Sequence, residues 1–240
     1  MKTQVYKANE RGAADYGWLQ AKYSFSFANY YNPQALNFGT LRVLNDDIVK
    51  GGLGFGKHPH DNMEIITIPL KGALKHKDSM ENKWMPLHVG EVQVMSAGTG
   101  IQHSEMNNST TEDLNLFQIW IIPNQQNVSP KYNQKEFDKT ERLNNLQYLV
   151  SPVNDKLDST LTIHQNAYIS RVDLTEGNEF TYKLKNEENG VFIMTIDGNI
   201  QIDSLDLNAK DAVGIEQTKM VNILAKKPSE LLFIEVPMKF

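Results

Sequence analysis

The chain has 240 residues, of which 40% are hydrophobic and 22% are charged, and its formal net charge is −5. These values are typical of a globular protein with a substantial core. The negative charge, without a dense Lys/Arg cluster, argues against a nucleic-acid backbone as a direct partner. The sequence has no cysteine, which excludes disulfides, thiolate metal sites and thiol nucleophiles. Any bound metal must therefore be held by nitrogen and oxygen ligands.

The N-terminal residues contain no apolar signal segment, and no stretch of the chain approaches 18 consecutive apolar residues. We therefore expect a soluble cytoplasmic protein that does not associate with membranes. No sequence feature marks a surface for a protein partner, and we expect a monomer.

Short segments rich in Val, Ile, Tyr and Phe recur along the chain and are separated by turn residues. Strands of this length and spacing predict an all-β fold built as a sandwich or barrel. Helical periodicity is weak, and its best candidate is the polar segment 130–143. The predicted strands cover residues 41–44, 64–70, 91–95, 114–122, 161–163, 168–174 and 191–196.

A polar stretch bracketed by Pro123 and Pro152 separates two β-rich halves whose glycines recur at roughly similar spacing. Two related β-barrels explain this pattern better than one irregular domain. We place an N-terminal barrel at residues 1–125, and a linker with a C-terminal barrel at residues 126–240. Five of the six histidines lie in the first half and only His164 in the second, so the chemistry is not expected to repeat.

Two pairs of candidate metal ligands stand out, His58 with His60 and His103 with Glu105. Residues i and i+2 of a strand point to the same side, so each pair can present two ligands into one cavity. Pro59 cannot donate a ladder hydrogen bond, which places the first pair at a strand start or an edge. Three imidazoles and one carboxylate would leave coordination positions open, as a catalytic metal site requires.

Glycines frame both pairs, with Gly52 six residues before His58, and Gly90 and Gly98 ahead of His103. This frame resembles the two motifs of the cupins, although His103 comes two residues later than the general pattern. The chain further resembles the pirin family, a resemblance that covers most of residues 10–123. The segments that carry it are FSFANYY at 25–31, HPHDNMEI at 58–65 and VQVMSAGTGIQHSEM at 92–106.

The resemblance implies a bicupin, with two stacked cupin β-barrels of which only the N-terminal one binds metal. It also implies that His58, His60, His103 and Glu105 are the ligands of one mononuclear divalent transition metal. By the same resemblance that metal is iron(II), although Mn, Co, Ni, Cu and Zn suit the donor set. Glu64 is the general cupin ligand, and here we expect it to orient an imidazole or a cavity group through a hydrogen bond. Strand parity alone does not decide between Glu64 and Glu105, because Glu64 has the parity of His58 and His60.

By resemblance, the expected activity is that of a quercetin 2,3-dioxygenase, which opens the heterocycle of a flavonol with O₂ and releases carbon monoxide. Glu105 would accept the proton of the flavonol 3-hydroxyl group. The alternative is a metal-dependent, redox-sensing regulatory protein without turnover, which acts through a protein partner.

The remaining histidines are interpreted as structural. We expect His76 at a hairpin end, bonded near Asp78, with His88 exposed in a turn and His164 in a strand. The alternating aromatic residues Tyr23, Phe25 and Phe27 are interpreted as the buried face of an N-terminal strand. We expect Met63, Met95, Met106, Phe117 and Trp120 to be core or cavity-wall residues.

Overall fold

The computed structural model describes residues 1–239, and its regular structure consists of strands and two short 3-10 helices, Lys139–Arg142 and Val153–Asp155. The strands that precede the first of these helices are β1 (Lys2–Tyr6), β2 (Gly12–Asp15), β3 (Leu19–Tyr23), β4 (Leu41–Val49), β5 (Gly54–His60), β6 (Glu64–Lys71), β7 (Ala73–Asp78), β8 (Met85–His88), β9 (Glu91–Ser96), β10 (Ile101–Asn107), β11 (Leu114–Ile121) and β12 (Lys131–Glu136). Those that follow are β13 (Gln147–Pro152), β14 (Leu161–Ile163), β15 (Tyr168–Leu174), β16 (Glu179–Lys183), β17 (Asn189–Asp197), β18 (Asn199–Ile202), β19 (Leu205–Asn208), β20 (Ala212–Glu216), β21 (Met220–Ala225) and β22 (Ser229–Pro237).

The all-β prediction is confirmed, and each of the seven predicted segments corresponds to a strand, although segment 114–122 runs one residue past the end of β11. The segment 130–143, the best candidate for a helix in a sequence with weak helical periodicity, is mostly not helical. Residues 131–136 form β12, and only a short 3-10 helix follows, with Asp138 accepting a hydrogen bond from the Thr140 N–H. The polar side chains of β12 suit an edge strand, and pairing with β9 overrides the local preference.

The strands form four sheets, two in each half of the molecule. The N-terminal half has a seven-stranded sheet, β12-β9-β6-β11-β4-β3-β2, and a four-stranded sheet, β5-β10-β7-β8. The C-terminal half repeats this plan in the sheets β1-β20-β17-β22-β15-β13-β14 and β16-β21-β18-β19. In each half the small sheet covers one face of the large one and encloses a barrel interior, which is the two-barrel arrangement that the sequence predicted.

The main hydrophobic core lies between the two barrels, where the large sheets face each other. Phe117 and Ile119 of β11 share this core with Phe192 of β17 and Ile234 of β22. All four are fully buried, and burial of such side chains typically contributes about 1.5–3 kcal/mol each. This packing joins the two barrels into one body and leaves the other faces of the large sheets to line the barrel interiors.

Two strands cross the division that was predicted at 125/126. β1 pairs with β20, as in Val5 with Val213, and so belongs to the sheet of the C-terminal barrel. β12 pairs with β9, as in Tyr132 with Met95, and belongs to the N-terminal barrel. Sheet membership therefore departs from the predicted boundaries at these strands, whereas the division into domains stays a prediction. Within residues 1–239 no helix is long and apolar enough to cross a membrane.

Candidate metal centre

Three histidines converge where β5 and β10 run side by side. His103 pairs with His58 across these strands, and Ile101 pairs with His60. The three ring centroids lie 4.3–5.0 Å apart, and one nitrogen from each ring lies within 4.8 Å of the others. This convergence of two separate strands is the geometry that the two spaced pairs required.

Two glycines allow the backbone to reach this arrangement. A Cβ atom at Gly54 of β5 would lie 2.2 Å from the carbonyl oxygen of Glu105, so only glycine permits the close approach to β10. Gly98, in the turn between β9 and β10, has a φ of 48°, and a Cβ there would lie 1.9 Å from the Val128 carbonyl oxygen. The glycine frame seen in the sequence therefore has a steric cause at Gly98.

The hydrogen bonds around the imidazoles leave nitrogens free for a metal. His58 Nδ1 donates to the Gly56 carbonyl oxygen at 2.7 Å, which leaves the lone pair on its Nε2. His103 is 2% exposed, and its Nε2 is buried without a hydrogen-bond partner. Buried polar atoms are seldom left unpaired, and a metal ion would satisfy this one.

Two of the imidazoles, those of His60 and His103, are held in the neutral form that binds metals. Burial, followed by the neighbouring His58, lowers the pKa of His60 to about 4. Burial, followed by His58, His76 and His60, lowers the pKa of His103 to about 2. The rings of His60 and His103 can therefore offer nitrogen lone pairs to a metal near neutral pH.

Glu105 lies beside the three imidazoles and is almost fully buried. Both of its oxygens accept from Gln118 Nε2, at 3.0 and 2.8 Å. Burial raises its pKa to about 7, and the hydrogen bonds of Gln118 and Thr67 only partly offset this. A buried carboxylate with only neutral partners is stabilised by a cation, so the donor set fits a divalent metal. The possible ligand atoms form two clusters that share His103, one with His58 and His60 and the other with His76 and Glu105, and the atoms within each cluster lie within 4.8 Å of one another.

Glu64 does not make the contact that the sequence predicted for it. Its carboxylate accepts from Ser96 Oγ at 2.7 Å and from the main chain at His164, on the side of β6 that faces the C-terminal barrel. The cause lies in residues 61–63, which interrupt the strands between His60 and Glu64. Asn62 has a φ of 43°, so the i, i+2 parity is lost there.

Sequence reasoning missed the environment of His76. This residue lies in the middle of β7, is fully buried, and bonds to Asp78 as expected, but it also reaches His103. The alternation of His76 and Asp78 along the strand was the available signal. His88 is exposed at the end of β8, and His164 lies just beyond β14.

A cavity of about 230 Å³ opens at His58 and Glu105. Asp47 and Asn45 also line it, and each has a buried Oδ1 without a hydrogen-bond partner. Burial, followed by Asp46 and Glu105, raises the pKa of Asp47 to about 8. The walls are apolar and aromatic, formed by Leu19, Ala21, Tyr23, Phe27, Phe55 and Trp120.

The aromatic residues near the N-terminus divide between two environments. Tyr23 and Phe27 face the cavity, whereas Phe25 packs in the core between the barrels. The prediction of a single buried face is therefore wrong, because β3 ends at Tyr23 and the chain turns before Phe25. Trp120 is a cavity-wall residue, as expected, with its ring 4.8 Å from that of His60.

Fold and site together define this protein as a two-barrel cupin with a candidate divalent-metal centre in its N-terminal barrel. Among residues 1–239, the clusters of side chains that could hold a metal all lie in that barrel.

Comparison with known proteins agrees with this class. The Pirin family model matches residues 4–121, and the model for the quercetinase C-terminal cupin domain matches residues 148–236. A protein of Escherichia coli (strain K12) named quercetin 2,3-dioxygenase is 42% identical over 231 residues, which cover 96% of this chain and 97% of that protein.

Solved structures give the same assignment. The crystal structure of YhhW from Escherichia coli superposes with a TM-score of 0.92 at 40% identity and covers 98% of each chain. The structure of the bacterial pirin YhhW from Escherichia coli in complex with nickel(II) superposes with a TM-score of 0.91 at 39% identity, and the match covers 98% of this chain and 99% of that one. The chain belongs to the pirin family.

Proposed function

We propose that this protein is a metal-dependent dioxygenase that opens the heterocycle of flavonols such as quercetin with O₂ and releases carbon monoxide. The observation that carries the proposal is the buried, unpartnered Nε2 of His103, which lies among three converging imidazoles beside an aromatic cavity. Two Escherichia coli relatives named quercetin 2,3-dioxygenase support an oxidoreductase.

The proposed metal ligands are His58, His60, His103 and Glu105. The nickel(II) complex of an Escherichia coli pirin supports a divalent ion at such a site, and we propose iron(II) as the native metal. When bound, such a metal supplies Lewis acidity to an oxygen of the substrate and redox capacity toward O₂.

The protein side chains would bind and orient the substrate. The aromatic walls at Phe27 and Trp120 suit a planar ring system. Asp47 and Asn45 offer unpaired oxygens to hydroxyl groups on its rim. Glu105 lines the same cavity and would accept the proton of the reacting hydroxyl, while the amide of Gln118 holds its carboxylate in place.

The test is incubation of metal-loaded protein with quercetin, with and without O₂. We expect loss of the flavonol absorbance and release of carbon monoxide only in air. Zinc-loaded protein is a redox-inert control, and His103→Ala is expected to lose turnover while the exposed-histidine variant His88→Ala retains it.

Absence of O₂-dependent turnover with Fe, Mn, Co, Ni and Cu would contradict the proposal. The remaining hypothesis would then be the metal-dependent regulatory protein, and a pull-down from cell extract with metal-loaded and metal-free protein would be the next experiment.

A further inference from the structure

A fourth imidazole lies directly behind His103. It belongs to His76 of β7, the strand that flanks β10 on the side opposite β5. In the β7–β10 register Asp78 pairs with His103, and His76 pairs with Glu105. The side chains of His76 and Asp78 are both 0% exposed, so this group is part of the barrel interior and has no contact with solvent.

The three side chains form a chain of hydrogen bonds. His76 Nε2 lies 3.1 Å from Asp78 Oδ2. His76 Nδ1 lies 3.5 Å from His103 Nδ1, with the ring centroids 5.2 Å apart. The second distance is at the long limit of a hydrogen bond, as is common for contacts of a site before its ligand is bound.

The hydrogen bonds that link Asp78, His76 and His103 are consistent with only one assignment of donors and acceptors. Asp78 Oδ1 accepts from the main-chain N–H groups of Met80 and Glu81, at 2.8 and 3.0 Å, which anchors the carboxylate. Its Oδ2 then accepts from Nε2–H of His76, which leaves the lone pair of His76 on Nδ1. That lone pair faces His103 Nδ1, so His103 must carry its proton on Nδ1 and its lone pair on Nε2. The Nε2 atom is the one without a partner.

The ring of His76 is fixed from a further side by Tyr132. The two rings stack at a centroid distance of 4.7 Å and an interplanar angle of 28°. Tyr132 belongs to β12, and its hydroxyl donates to Gln134 Oε1 at 2.6 Å. Asp78 and Tyr132 therefore restrict both the tilt and the rotation of the His76 imidazole.

We propose that Asp78 and His76 form a positioning relay, which holds His103 in the Nδ1–H tautomer so that its Nε2 can bind a divalent metal. The inference rests on the proposed metal centre and extends it to two residues outside the ligand set. Such outer partners fix the tautomer and ring orientation of metal-bound histidines. His76 is a positioning residue and not a ligand, because Asp78 occupies one of its nitrogens and His103 the other.

The sharpest test is Asp78→Asn, which changes charge and hydrogen-bond direction with almost no change in volume. The amide oxygen introduced by this substitution would still accept the hydrogen bonds from the two main-chain N–H groups. The amide NH₂ would therefore point at His76 Nε2. His76 would then carry its proton on Nδ1 and reverse the relay, which forces His103 into the Nε2–H tautomer. A buried Asp→Asn change is known to impose the wrong histidine tautomer in this way. Asp197→Asn, at an exposed position in the C-terminal barrel, is the matched control.

Two measurements decide the outcome. Long-range ¹⁵N–¹H NMR of the metal-free protein reports which nitrogen of His103 carries the proton, and titration with Co(II) gives the dissociation constant and a visible spectrum of the ligand field. We expect Asp78→Asn to shift the His103 tautomer and to weaken Co(II) binding roughly 10- to 100-fold. Asp197→Asn should match the wild type in both.

His76→Phe provides a second route to the same answer. The Phe ring retains the stacking on Tyr132 but offers no nitrogen, so both tautomers of His103 should become populated and Co(II) affinity should fall. His88→Phe, on the neighbouring strand β8, is its control and should change neither quantity.

Unchanged tautomer and unchanged Co(II) affinity in both test variants would overturn the relay while leaving the metal centre intact. A wild-type chain that binds no Co(II), with His103 protonated on Nε2, would overturn both. Quercetin turnover is not a readout in this experiment, so loss of the proposed dioxygenase activity leaves its outcome unchanged.

Discussion

The two barrels of this protein share one strand plan and use their interiors in opposite ways. β5 and β10 of the N-terminal barrel occupy the same sheet positions as β16 and β21 of the C-terminal barrel. The first pair of strands presents His58, His60, His103 and Glu105 to the interior. The second pair fills the equivalent space with Phe180, Tyr182, Val221 and Ile223.

The cores of the two barrels differ accordingly. The C-terminal barrel encloses one continuous cluster of 15 buried hydrophobic residues. In the N-terminal barrel the interior hydrophobics are divided into clusters of eight and four buried residues, and the imidazoles and the cavity lie in the same interior. A barrel of this size is either packed with side chains or holds a small ligand. The C-terminal barrel is of the packed kind, and the N-terminal barrel has a cavity.

A buried glutamate of each barrel, Glu105 in the N-terminal one and Glu235 in the C-terminal one, gives a closer comparison, because the partners of these two carboxylates differ. Glu235 in the C-terminal barrel accepts from the Tyr182 hydroxyl, the main-chain N–H groups of Lys185 and Asn186, and Asn189 Nδ2, at 2.9–3.0 Å. Glu105 is held by an amide and a hydroxyl and has a raised pKa. A fully hydrogen-bonded carboxylate stabilises the fold, whereas an under-satisfied one suits a cation.

Glu235→Ala should produce the largest loss of stability. The change leaves four donors without this acceptor, and two of them, the Tyr182 hydroxyl and Asn189 Nδ2, make buried hydrogen bonds to it. Each unsatisfied buried donor costs about 1–3 kcal/mol. We expect the free energy of unfolding to fall by about 4 kcal/mol or more, measured by urea denaturation of the metal-free protein. Glu105→Ala should lower the free energy of unfolding by less. An equal decrease in the two variants would contradict the proposed difference between the two carboxylates.

His103→Ala should greatly weaken metal binding with a small effect on folding. Loss of a direct ligand is expected to weaken binding by roughly 100-fold or more, beyond the range for outer partners. The metal content of purified protein, measured by mass spectrometry after equilibrium with Co(II), tests this. His164→Ala, in the second half of the chain, is the control, and a similar loss there would show that the C-terminal half contributes to the site.

Glu64→Gln should change how stability depends on pH and should leave bound metal unchanged. Burial raises the pKa of Glu64 to about 7, so the buried carboxyl is tolerated when protonated and is destabilising when ionised. Wild-type stability should therefore fall as pH rises from about 4.5 through about 7. The variant should be more stable by about 2 kcal/mol at pH 8, with the exposed Glu112→Gln variant as control. Loss of bound metal in Glu64→Gln would instead show that Glu64 contributes to the metal site.

Tyr182→Phe should have the smallest effect. It removes one donor from Glu235 and keeps the ring that stacks on Phe233 at 4.6 Å. Hydrogen bonds to charged groups contribute about 1.5–3 kcal/mol, and three donors remain, so we expect a loss near 1.5 kcal/mol by thermal or urea unfolding. No measurable loss would mean that the remaining donors suffice for Glu235.

The sequence was sufficient to predict the all-β class, seven of the strands and the candidate ligands, with Glu105 chosen over Glu64 by the family resemblance. Strands such as β6 and β11 are read from continuous apolar runs, and the His-x-His and His-x-Glu spacings put each pair on one side of a strand. These features depend on neighbouring residues along the chain, because the period of a strand is two residues.

Features that depend on pairing across the fold were not accessible from the sequence. Parity placed Glu64 with the imidazoles, but the positive φ of Asn62 turns it toward the other barrel. β12 was not among the predicted strands and fell in the best helix candidate, because a polar segment carries no sign of its pairing with β9. The contact of His76 with His103 joins residues 27 apart, through the register of β7 with β10. Strand register is set by the packing of whole faces against the core, so only the tertiary structure could decide which side chains meet.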